Sequence, residues 1–282
     1  PPARPAGPGG DAAAAPSMRN NLTAQGLTDA LRSRSNWPKL LGCAGGWFLF
    51  DVTFYGNTIF QPTVLKVIFH SEGGTKVDGD SLQTNLCWQL AIVALIGLPG
   101  YYVAIYFMDR WGRKTIQIQG FVMMAVLYAA LAIFLDALEG VPVLLLIIYG
   151  LTYFFSNFGP NSTTFILPSE TFPPEVRSSL NGFCAASGKF GAAIGSAVFK
   201  PVINAAGTSA AFWMCSGCAC LGVVLTAFFI EDLRARDMGV RTALVEEIRL
   251  PGMSEDQASS VCDAAPPPPP EAAPARKAAG GA

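Results

Sequence analysis

In the run NGFCAASGKFGAAIGSAVF, Asn181 to Phe199, a single lysine stands among small and apolar residues. Runs of this length and composition cross a bilayer, and a charge near the centre of one costs roughly 2.5–3.5 kcal/mol on insertion scales. A residue so expensive is kept for what it touches, so Lys189 calls for a partner. Asp51 is one of the right type. It lies in GGWFLFDVTFYGN, where Trp47, Asp51 and Tyr55 recur at i, i+4 and i+8 and share one helical face. Counted from the basic end of its own span, each charge sits about 11 or 12 residues in, at a depth of roughly 16–18 Å. Asn161, about seven residues in, lies roughly 10 Å deep and joins the inner side of the same cavity.

A lysine, an indole N–H, a phenol and a carboxamide are all donors, and they surround one carboxyl. That set suits an anion that also carries a proton. The oxygens of inorganic phosphate accept from Lys189, Trp47, Tyr55 and Asn161, while a P–OH donates to Asp51. Sulfate has no proton to give at neutral pH and is repelled by an ionised Asp51, which offers a route to selectivity. The same carboxyl is suited to proton sensing. The residue types leave phosphate and an organic anion both open. The plainer alternative is an ion pair that only locks two helices, with Trp47 and Tyr55 as packing residues or interfacial anchors.

These residues need helices that span a membrane, and the composition supplies them. Of 282 residues, 51% are hydrophobic and only 14% charged, and the mean hydropathy is +0.38. Soluble domains carry about a quarter charged residues, so that class is excluded. Six spans are expected near 39–62, 84–107, 115–136, 142–167, 178–200 and 209–230, within a transmembrane region of 37–231. Residues 1–36 read as a disordered arm rich in Pro, Ala and Gly, and 232–282 as a polar tail ending in a proline-rich segment. The fold class is therefore an all-α membrane protein, a six-helix bundle in the lipid bilayer. Basic residues concentrate before the first span and after the second, fourth and last. By the positive-inside bias, both termini face the cytoplasm.

Two spans contain helix breakers, GLPGYY (97–102) and FGPNSTTF (158–165). Broken membrane helices occur where protein or a water-filled cavity satisfies the freed backbone groups, as at transporter binding sites. Other signals are weaker. CSGCAC (215–220) lies in a small-residue span and reads as packing rather than a metal or redox centre. His70, in an outer loop, is not assigned a proton relay. Neither Asn21 nor Asn161 is expected to carry a glycan, although both sit in Asn-x-Ser/Thr sequences. No nucleophile motif or phosphate-cradling glycine loop is evident, so enzyme activity, a cofactor and nucleic-acid binding are not expected.

The inner loops add a further layer. DRWGRK contains Asp109, Arg110, Gly112, Arg113 and Lys114, and PSETFPPEVRSS contains Glu170 and Arg177. DRWGRK resembles the signature inner loop of the major facilitator superfamily, and PSETFPPEVRSS its Pro-Glu-x-x-Pro-x-x-x-Arg pattern. WFLFDVTFYG, NFGPNSTTFILPSETFPPEVRSS and GFCAASGKFGAAIG are similar, in that order, to the proton-coupled inorganic phosphate transporters of plants and fungi. The resemblance covers about residues 37–231 and only the C-terminal six-helix half of such a transporter. It implies phosphate:proton symport at the plasma membrane, with protons as coupling ion and an N-terminal half as a further partner. It also implies phosphate contacts at Trp47, Asp51, Tyr55, Asn161 and Lys189. An inner-gate network then falls on Asp109, Arg110, Gly112, Arg113, Lys114, Glu170 and Arg177. Residues 1–36 would correspond to the end of the family's central loop. The alternatives are a non-transporting half that pairs with or regulates a full-length transporter, and a carrier for another organic anion or sugar. A lysine in the site counts against a neutral sugar.

Overall fold

The computed structural model describes residues 34, 36–69 and 79–232. Almost all of the expected arm and tail, together with His70, lie outside the described residues. The regular structure among the described residues is entirely helical: α1 (Asn36–Phe69), α2 (Gly79–Gly97), α3 (Pro99–Trp111), α4 (Arg113–Glu139), α5 (Pro142–Asn157), α6 (Pro160–Thr171) and α7 (Pro174–Phe229). Prolines 99, 142, 160 and 174 open four of these helices. In the first turn, a missing N–H deprives no carbonyl of a partner.

The two expected breaks are present. Pro99 separates α2 from α3, and Gly159–Pro160 separates α5 from α6. By length and composition, four stretches can cross a membrane: Leu90–Trp111, Arg113–Leu138, Pro142–Thr171 and Val176–Phe229. The last of these is 54 residues long. As one straight helix it would extend about 80 Å, far beyond a hydrocarbon core of about 30 Å. It turns instead at Gly207, where φ is +85°. Without a β-carbon, glycine adopts that angle at little cost.

Cross-helix contacts give the direction of each run. Before Gly207, α7 lies parallel to α1. Ser187 Oγ donates to the Ala44 carbonyl at 3.1 Å, Gly191 faces the Phe48 carbonyl and Gly195 the Val52 carbonyl. After Gly207 the direction reverses, with Leu225 against Gly45 and Phe229 against Gly42. This second part of α7 runs antiparallel to α4, where Ser216 Oγ donates to the Ala125 carbonyl and Lys114 Nζ to the Ala227 carbonyl. α4 opposes α6 through Gln117 and Thr163, and α2 parallels α5 through Gly97–Tyr153 and Gly100–Asn157. The path therefore alternates through α1, α2–α3, α4, α5–α6 and the two parts of α7.

Two apolar clusters fill the bundle. The larger, around Phe50, Phe121, Tyr128, Tyr149, Phe199 and Phe212, occupies one half. The smaller, around Leu40, Trp47, Leu167, Phe172 and Leu180, sits towards the end where α1 begins and α7 stops. Lys39 Nζ lies 3.3 Å from Glu231 Oε2 and ties those two ends together. Water gives no advantage to helix pairing inside lipid, so close packing of small residues and interhelical hydrogen bonds hold such bundles. Both devices recur throughout this one.

Candidate functional site

Asp51 and Lys189 meet because α1 and α7 touch backbone to backbone. A β-carbon added at Gly191 would strike the Phe48 carbonyl, one at Gly195 the Val52 carbonyl, and one at Gly188 the Trp47 indole. This glycine seam fixes the register of the pair. Lys189 follows Gly188 and so lies about 100° round the helix from it, on the flank of the seam. Its Nζ is 3.9 Å from Asp51 Oδ2, donates to Tyr55 Oη at 2.9 Å and stands 4.8 Å from the centre of the Tyr55 ring.

The two charges have different surroundings. Asp51 is 3% exposed and Lys189 is 64% exposed. Asp51 points into the bundle, and the flank position carries the ammonium to the open face of the described bundle. The pair is also incomplete: buried Asp51 Oδ2 has no hydrogen-bond partner. An orphaned carboxylate oxygen is costly, and a lysine at 3.9 Å supplies charge without a hydrogen bond.

Trp47 is buried, its ring centre 4.5 Å from that of Phe165, and it rests against Gly188. Asn161 sits at the α5–α6 break. Its Nδ2 donates to Tyr101 Oη at 2.6 Å and to Asn157 Oδ1 at 2.7 Å. Asn157 Nδ2 in turn donates to the Gly97 carbonyl at 3.0 Å. The α2–α3 break leaves that carbonyl open, because Tyr101 N–H turns to Leu98 O. The two broken helices thus satisfy one another across the bundle.

Sequence reasoning marked both breaks but missed Tyr101 and Asn157. GLPGYY and FSNFGPN name the positions, yet the pairing spans 60 residues. Two buried polar chains were missed as well. Asn57 accepts from Tyr149 Oη and donates to Tyr128 Oη; Gln117 links Thr163 and Thr226. Asn57 thus joins α1 to α4 and α5, and Gln117 joins α4 to α6 and α7.

At the basic end, Gly112 takes φ +83° and lets α3 turn directly into α4. Arg113 is the hub there. Its Nη1 is 3.1 Å from Asp109 Oδ1, and its Nε is 3.0 Å from Glu170 Oε2 and donates to Oε1 at 3.2 Å. The other residues of the expected network act differently. Arg177 Nε donates to the Phe172 carbonyl and closes the α6–α7 turn. Lys114 binds the last turn of α7, where unpaired carbonyls favour a cation, and Arg110 lies over the Tyr106 ring at 4.2 Å. Arg177 thus finds a local cap, five residues back, whereas Lys114 reaches across the bundle to the end of α7.

The sequence profile of the sugar (and other) transporter family matches residues 41–238. A probable inorganic phosphate transporter 1-6 of Arabidopsis thaliana is 39% identical over 202 residues, which is 71% of this chain and 39% of that protein. The inorganic phosphate transporter PT2 of Toxoplasma gondii is 34% identical over 209 residues, 74% of this chain and 36% of that protein. A repressible high-affinity phosphate permease of Neurospora crassa is 38% identical over 169 residues, 60% of this chain and 29% of its own length. The chain thus spans well under half the length of these curated relatives.

Proposed function

Because the chain belongs to the sugar (and other) transporter family of the major facilitator superfamily, we propose that it forms the anion-holding half of a proton-coupled inorganic phosphate transporter. The observation that carries this reading is the Lys189–Asp51 pair, with its exposed ammonium and its buried carboxylate oxygen lacking a hydrogen bond. A ligand that accepts from the one and donates to the other completes both. Dihydrogen phosphate does so: its oxygens take hydrogen bonds from Lys189 and Tyr55, and a P–OH reaches Asp51. A neutral sugar leaves the ammonium uncompensated, and sulfate offers Asp51 no proton. The names of the relatives support the choice of phosphate over an organic anion.

Asp51 is then the group through which proton and anion are coupled. The open face that carries Lys189 receives a second helical half, which supplies the opposite wall of the cavity. Alternating access comes from the motion of the two halves about the site. The termini lie on the cytoplasmic side of the plasma membrane, and the Arg113 cluster forms the inner gate. The test is uptake of radiolabelled phosphate into proteoliposomes under an inward proton gradient, for this chain co-assembled with the N-terminal half of a phosphate-transporting relative. Uptake should be saturable, collapse with the gradient and exclude sulfate. Uptake that ignores the gradient would remove the coupling, and sulfate transport equal to that of phosphate would remove the role of Asp51.

A further inference from the structure

Along α1 the residues that meet α7 and those that form the anion site repeat in step. Phe48 and Val52 lie on the glycine seam, and Gly56 packs against Phe199 and the Gly195 carbonyl. Trp47, Asp51 and Tyr55 each precede one of these by a residue, so they line the flank about 100° to one side. Asn57 follows Gly56 and lies about 100° to the other side, roughly 200° round the helix from Tyr55. The seam sets how close α1 and α7 come and at what height. It holds rotation less firmly, because a glycine has no side chain to key into a groove of its neighbour. Rotation matters at the site: a turn of about 20° carries an atom roughly 6 Å from the helix axis through about 2 Å. Such a turn breaks the 2.9 Å bond from Lys189 Nζ to Tyr55 Oη.

Asn57 supplies the hold. It is fully buried; its Oδ1 accepts from Tyr149 Oη of α5 at 2.9 Å and its Nδ2 donates to Tyr128 Oη of α4 at 3.0 Å. Both tyrosines are buried as well, so water does not stand in for either bond when α1 turns. We propose that Asn57 is a positioning residue of the anion site, which fixes the rotation of α1 and so holds Tyr55 against Lys189. The inference deepens the phosphate reading and rests on it. A second line of contact runs the same way. The Tyr55 ring meets Phe54 edge-on at 5.6 Å, Phe54 meets Tyr153 at 6.0 Å, and Tyr153 meets Tyr149 at 5.6 Å. The site lies on one flank of α1, and the groups that aim it are buried on the other.

The test measures binding of inorganic phosphate to the 282-residue chain in lipid nanodiscs, with the melting temperature read alongside. Asn57→Leu alone strands two buried phenols. The main variant is therefore Asn57→Leu/Tyr128→Phe/Tyr149→Phe, since replacing both partners of a buried bond by apolar groups of like shape leaves stability nearly unchanged. Its phosphate affinity should fall about 10-fold, as for the loss of one hydrogen bond to a charged group. Tyr149→Phe, a milder cut, should lose about 3-fold. Each change is repeated in a Tyr55→Phe background. There the further loss should stay below about 2-fold, because residues that act through one contact are not additive. Lys189→Ala is the control for the site and should abolish binding. Full affinity in both clasp variants, with binding lost in Lys189→Ala, overturns the role of Asn57 and leaves the phosphate site standing. Losses that multiply in full with that of Tyr55→Phe overturn it as well, since Asn57 then acts elsewhere. No saturable phosphate binding by the parent overturns the anion site and the inference with it.

Discussion

Two charged clusters sit on this bundle, and they are built on opposite plans. Around Arg113, one guanidinium reaches two carboxylates at 3.0 and 3.1 Å, with a second oxygen of Glu170 accepting at 3.2 Å. The guanidinium stands between two carboxylates, and its Nε hydrogen bond to Glu170 is made. Around Lys189, the carboxylate lies 3.9 Å away, it is buried, and its Oδ2 has no hydrogen bond. The first cluster satisfies itself and joins three helices as a latch. The second holds a charge exposed and an acceptor unmet, the arrangement on which the proposed anion site rests. Resemblance to a transporter family assigns both clusters to function; geometry separates them by kind.

That contrast can be broken at its root. Gly195→Leu touches neither charge but drives a side chain into the Val52 carbonyl, forcing α1 and α7 apart. The folded bundle should be lost, seen as aggregation in size-exclusion chromatography; a monodisperse variant would show that the seam does not set the register. Next in size is Lys189→Ala, which should weaken phosphate at least 100-fold while moving the melting temperature by less than about 2 °C, since the side chain is mostly exposed. A large drop in melting temperature would recast Lys189 as a structural residue.

Asp51→Asn sharpens the contrast further. It should keep phosphate binding within about 10-fold but flatten its dependence on pH and admit sulfate as a competitor. Competition experiments across pH check both effects. The smallest effect belongs to the latch. Arg113→Ala removes partly exposed ion pairs and should cost about 1 kcal/mol of stability, with phosphate affinity unchanged. A fall in affinity matching that of Lys189→Ala would erase the distinction between the clusters.

What the sequence made legible follows the range of the interactions involved. The apolar spans and the breaks at Pro99 and Pro160 are local, since hydropathy and a missing N–H act within a few residues. The equal depths of Asp51 and Lys189 also came from counting along each helix, and the structure brings the two side chains together. Counting along an axis carries no rotation about it, so the exposed placement of Lys189 was beyond reach. Depth likewise placed Asn161 near the cavity but could not show that Tyr101 and Asn157 take both its hydrogens. The network expected at the inner loops was read as one unit. Arg177 and Lys114 instead bond backbone carbonyls at helix ends, where the unpaired carbonyls and the helix dipole favour a cation.

The contact between α1 and α7 also bears on mechanics. Where two helices are separated by long side chains, rotamer changes let them slide. Here carbonyl oxygens of α1 rest where β-carbons of α7 would stand, and no such sliding layer exists at Gly191 and Gly195. The pair behaves as one stiff plate. In the cycle proposed above, Asp51 and Lys189 therefore ride on the same plate and keep their spacing, and the charged seat stays whole.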